Sequence, residues 1–163
     1  MIDGIIRRIG KAAGWLNFIL VVLICMDVFM RYVFSNSQEW MLELEWHLFA
    51  LVFLLGGAYA LQADQHVRVD VWYARQDERT KAWVNLAGTV LFLIPWCLIV
   101  IYTSFRYAEN SFLINERSPD PGGLPARYLI KFSITIAFCL LLLQALLIII
   151  KNFRTVMSKP QPE

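Results

Sequence analysis

Four long, predominantly apolar stretches, at about residues 12–34, 42–61, 82–105 and 130–150, decide most of what this chain can become. A helix needs about 20 such residues to cross the ~30 Å hydrocarbon core of a bilayer. Lipid offers the backbone no hydrogen bonds, so each stretch must be helical, and the polar segments between them must be connections. Composition agrees: 163 residues, 58% hydrophobic and 17% charged, with a mean hydropathy of +0.54, are too apolar for an ordinary soluble domain. The expected fold class is all-α integral membrane, a single four-helix domain over residues 1–155 followed by a flexible tail over 156–163.

Arg7, Arg8 and Lys11 ahead of the first stretch look like the start of a cleavable signal. That stretch is too long, contains Asp27 and Arg31, and ends without a small-x-small cleavage site, so it is expected to be retained. Basic residues are unevenly distributed. Arg7, Arg8, Lys11, Arg68, Arg75, Arg79, Lys81, Lys151, Arg154 and Lys159 fall on the side of the termini; the other side holds Arg106, Arg117 and Arg127, with Arg31 and Lys131 near helix ends. The positive-inside rule then predicts both termini in the cytoplasm. Cys25, Cys97 and Cys139 lie in three different stretches, which excludes a close-spaced metal site and suggests small buried hydrophobes. No internal repeat, phosphate-binding loop or nucleophile motif occurs, so neither an enzyme nor a nucleic-acid partner is expected.

The informative residues are the charges among the apolar ones. Asp27 and Arg31 stand about 22 and 28 Å along the first helix from Ala12, at ~1.5 Å per residue. Their four-residue spacing stacks them on one face with the acid first, the better order for an intrahelical pair. A charge at depth costs about 2.5 to 3.5 kcal/mol on insertion scales, so Asp27 should face protein. Glu43, Glu45 and His47 enter the membrane where Arg31 leaves it, which would let Arg31 join the first two helices through a glutamate. Further along, Gly56, Gly57 and Ala60 form a small-residue patch suited to close helix approach. Pro95 should kink the third helix. Asn85, Thr89, Ser133, Thr135 and Gln144 are candidates for interhelical hydrogen bonds.

The connection from Leu61 to Trp83 alternates apolar valines with His66, Arg68 and Asp70 and then sets Trp72 and Tyr73 beside charges, a pattern suited to an amphipathic segment at the membrane interface. Asp77 is placed to cap the third helix. His47 and His66 sit near opposite ends of one helix and cannot ligate a common haem iron. On the other side, SPDPGGLP is rich in turn formers, with Gly122 and Gly123 free to take positive φ.

RYVF at Arg31–Phe34, the W-x-x-E-x-E-W-H-x-F stretch from Trp40 to Phe49, the small-residue patch, HVRVDVWY at His66–Tyr73 and SPDPGGLPARYLIK at Ser118–Lys131 together resemble the small membrane subunit (DctQ type) of tripartite ATP-independent periplasmic (TRAP) transporters. The resemblance covers nearly the whole chain. It implies a multi-pass subunit of a bacterial inner-membrane complex, acting as scaffold for a large elevator-type membrane subunit that takes up organic acids with sodium. Sodium is then expected in the partner and no cofactor in this chain. A periplasmic substrate-binding protein completes the complex, and the loop carrying Glu109, Glu116, Arg117, Asp120, Gly122 and Gly123 is a candidate surface for it. Two other functions fit the residues: a self-sufficient proton-coupled transporter working through Asp27, and a membrane anchor of a redox complex.

Overall fold

The computed structural model describes residues 2–63, 73 and 75–157. Among them the chain is all-helical: α1 (Ile2–Val33), α2 (Glu39–Gln62), α3 (Glu78–Leu113) and α4 (Tyr128–Met157), each long and apolar enough to cross a membrane. The helices overrun the apolar stretches that predict them. α1 begins ten residues earlier than Ala12, and α4 continues through Val156 and Met157 into the expected tail. Apolarity marks only the part of a helix that lies in hydrocarbon, whereas the hydrogen-bond ladder continues until a turn ends it. At the end of α1 that turn is Ser35, with φ of 49°, where the N–H groups of Phe34 and Asn36 both donate to the Met30 carbonyl.

α1 packs on α2, α2 on α4, and α4 on α3, which orders the helices α1–α2–α4–α3, with no comparable α1–α3 or α1–α4 interface. A row buries less than a closed bundle. Only 11% to 28% of each span is buried inside the chain, and large side chains such as Trp15, Phe53, Phe92 and Tyr102 stand outward. Cys25 and Cys139 also face outward and only Cys97 is buried, so just one of the three cysteines is the buried small hydrophobe the sequence suggests. Inside a membrane this costs little, because lipid tails accept an outward apolar side chain as readily as a core does.

The buried residues form narrow seams. On α1 they are Ile6, Ala13, Leu20 and Asp27, one every seventh position, the spacing that keeps one face against a neighbouring helix. Gly10 lies on the same face, where the Tyr59 ring occupies the space a side chain would need. On α3 the seam runs Ala82, Thr89, Cys97, Ser104, Ser111, with steps of seven except for the eight-residue step from Thr89 to Cys97. The extra residue falls in a π-helical turn at Thr89–Leu93, just ahead of Pro95. Proline donates no N–H and crowds the carbonyl four residues earlier, here Leu91, and a wider turn relieves both. The kink predicted at Pro95 is therefore a π turn that restores the seam in a continuous helix.

α4, which packs on both α2 and α3, buries Ser133, Thr135, Ala137, Gln144 and Ala145. Small residues on both sides let the backbones approach, and the Ser104 and Thr135 hydroxyls hydrogen-bond across at 2.8 Å. Asn85 extends the contact with a donor to the Tyr73 hydroxyl at 2.8 Å and to Asn152 at 3.5 Å. Substituting Ala108, which is fully buried, by Leu should force α3 and α4 apart and destabilise the chain by about 1–3 kcal/mol. Thermal unfolding of purified protein measures it, and Phe92→Leu on the outward face should leave the midpoint within error.

Candidate functional site

Every long-range ionic contact among the described residues gathers at the end of the row that carries the 34–38 and 114–127 connections, called here the loop end. Three of its acids come from α1 and α2. Asp27 is only 2% exposed and ion-pairs with Arg31 one turn on, while the Arg31 side chain remains 46% exposed. Asp27 is the last member of the α1 seam, so it faces α2; its Oδ1 is buried without a hydrogen-bond partner among the described residues. Glu45 stands within electrostatic range of both Asp27 and Arg31, and its Oε1 is likewise buried with no partner among them. Of the two glutamates that the sequence offers to Arg31, Glu45 is the one in reach.

Glu43 turns elsewhere. Two positions along a helix is about 200° of rotation, which aims Glu43 away from α1 and toward the α3–α4 connection. There it is 2% exposed and collects donors from three residues far along the chain. Its Oε1 accepts from the Ser118 hydroxyl at 2.6 Å and from Arg127 Nη2 at 2.7 Å, and its Oε2 accepts from the Leu124 backbone N–H. The loop is shaped to deliver them. Ser118 N–H donates to the Leu124 carbonyl at 3.2 Å, Gly123 N–H to Asp120 at 3.0 Å, and Arg127 N–H to Glu116 at 3.1 Å. Gly122 takes φ of 83°, as the turn requires. Gly123 is there for space: a Cβ on it would run into the Ser118 side chain and lie 2.9 Å from Glu43 Oε2. His47 closes the other side, with Nδ1 2.5 Å from the Glu43 carbonyl and its ring tilted over Trp46. The Arg127 guanidinium lies 5.9 Å from the Trp46 ring centre.

A second pair stands beside the first. Lys131 donates to Glu116 and sits 4.0 Å from the Tyr107 ring centre. The Lys131 ammonium holds the Glu116 carboxyl below the usual carboxylate range. Glu116 is therefore half-buried and paired with Lys131 rather than free at the loop surface. Glu109 pairs with Arg106 at 3.2 Å on the same helix, and Arg117 and Asp120 are exposed.

The remaining sequence candidates are dispersed. Gly56 and Gly57 have nothing within 4 Å of the position a Cβ would take, so the close approach they invite is not made among the described residues. His66, Arg68, Asp70 and Trp72 lie outside the described residues. Asp77 is the N-cap residue of α3 in an extended conformation, with its carbonyl accepting from Lys81 N–H at 3.0 Å. No group of three or more metal-ligating side chains gathers among the described residues. Arg127 is the partner that sequence reasoning missed. It was legible only as one of the basic residues on that side of the membrane, and 84 positions separate it from Glu43.

Chemically, this arrangement clamps. A buried carboxylate with full donors and a guanidinium 2.7 Å away is held in one geometry. Removing one member strands the other, at about 3–5 kcal/mol. Glu43→Gln should therefore release the loop, seen as faster amide hydrogen exchange over residues 116–127 with α1 and the α3–α4 seam unchanged. Gly123→Ala should do the same through overpacking, at about 1–3 kcal/mol. The Glu116–Lys131 pair adds a pH dependence. With a folded-state pKa below the unfolded one, Glu116 contributes stability that is present above the ordinary carboxylate pKa and is lost as pH falls through the lowered value. Exchange in the loop, corrected for its intrinsic rate, should rise in that acid window and should rise less in Glu116→Gln.

Comparison with known proteins adds one finding: residues 20–155 match the family model described as tripartite ATP-independent periplasmic transporters, DctQ component. Among curated proteins no match is found.

Proposed function

This chain belongs to the DctQ family, the small permease component of TRAP transporters, and from that membership we propose that it is the immobile scaffold of a sodium-coupled carboxylate uptake system. In this reading the large membrane subunit carries the solute and sodium by an elevator motion. The present chain supplies a fixed surface in the bilayer for that motion to work against. Its termini lie in the cytoplasm of a bacterium, its loop end faces the periplasm, and the exposed Arg117 and Asp120 meet the substrate-binding protein there.

The observation that carries the reading is the Glu43 clamp. A subunit that moved solute would need its buried charges to change partners between states, whereas Glu43 is held by Ser118, Leu124 and Arg127 together. The row of helices supports it as well, because its two broad faces leave much apolar surface for a companion, including the open ground around Gly56 and Gly57. Asp27, the residue a proton-coupled carrier would use, is already paired with Arg31.

Deleting this chain should abolish uptake, and affinity purification of it should bring down one larger membrane protein. A chain that purifies alone from its native membrane, with uptake intact in its absence, contradicts the proposal. Charge reversal at Asp120 and Arg117 together should slow binding-protein-dependent uptake severalfold without reducing the amount of assembled complex. Unchanged kinetics would remove those two residues from the contact.

A further inference from the structure

Between α2 and α4 at the loop end lies a groove of about 480 Å³ that the clamp does not use. Its walls are Trp46, Phe49, Ala50, Phe53 and Leu54 on α2 and Ile130 and Ile134 on α4, and its rim carries Tyr107, Glu116, Arg127 and Lys131. From Trp46 to Phe53 the groove runs about 10 Å down the helix, at ~1.5 Å per residue. Its floor is therefore apolar and at membrane depth, and its mouth is charged, aromatic and at the level of the connections. Phe49 and Phe53 stand more than half exposed along one wall, so the groove opens sideways into the bilayer.

The geometry points to a bound phospholipid, with its phosphate at Lys131 and Arg127 and an acyl chain along Phe49, Ala50 and Ile134. The rim chemistry favours an anion. Arg127 gives Nη2 to Glu43 and, as a lining residue of the groove, has further guanidinium N–H groups to place. Lys131 shares its charge with Glu116 and the Tyr107 ring and has three protons to place. The volume lies within the ~300–1,000 Å³ of small-molecule sites.

Native mass spectrometry of the full chain released from detergent micelles tests this. The wild type should keep one phospholipid after bulk detergent is stripped, and so should Leu91→Trp, a control on an outward face of α3. Ala50→Trp, which fills the groove, should lose it, and Lys131→Gln should lower occupancy about tenfold, as expected for one charge-assisted hydrogen bond. A wild type that retains no phospholipid overturns the proposal, as does equal retention by Ala50→Trp with unchanged helicity. Should Ala50→Trp fail to fold, a benzophenone side chain at Phe49 decides in the assembled complex. Crosslinks to phospholipid support the site; crosslinks to a partner polypeptide, or none, overturn it.

Discussion

A carboxylate in a membrane helix must find donors inside the protein, and the way Glu43 finds them organises the loop end of this chain. None of the donors it has lies on its own helix. They come instead from Ser118, Leu124 and Arg127, which ties α2 to the beginning of α4 through one buried charge. Gly123 leaves the space, Gly122 makes the turn, and the Glu116–Lys131 pair holds the neighbouring strand of the loop. Removing the acid would make the rest of this arrangement purposeless, for the loop has no apolar core of its own.

Below that end, the helices associate by a different logic. The α1 seam packs Ile6, Ala13 and Leu20, with the Tyr59 ring against Gly10, whereas the α3–α4 seam joins small residues so that backbones approach, with Ser104 and Thr135 adding a hydroxyl bond. Interhelical polar contacts of this kind average only ~0.6 kcal/mol each, so the seams depend on unbroken register over their length. The π turn at Thr89–Leu93 preserves that register past Pro95. The result is a row of helices with broad apolar faces, suited to standing between lipid and a larger membrane protein.

What the sequence reveals depends on distance along the chain. The Asp27–Arg31 pair was legible because four residues in a helix is a local geometry, and the four spans were legible because hydropathy is additive. The Glu43–Arg127 pair was not, because nothing in one residue's neighbourhood announces a partner 84 positions away. Gly56 and Gly57 drew attention as a small-residue patch, while the seam that does bring helices together uses Ala, Ser, Thr and Cys at seven-residue steps, hidden by the extra residue before Pro95. Glu116 was read as a surface acid because it lies in a loop; only the fold brings Lys131 to it. The family resemblance carried by the RYVF, W-x-x-E-x-E-W-H-x-F and SPDPGGLPARYLIK segments agrees with the match over residues 20–155.

In the function proposed above, the buried charges of this chain serve as fasteners. Flux through sealed vesicles containing the purified chain alone tests that most directly. The account predicts no movement of protons, sodium or organic acids above that of empty vesicles. A sustained flux that disappears in Asp27→Asn would contradict it.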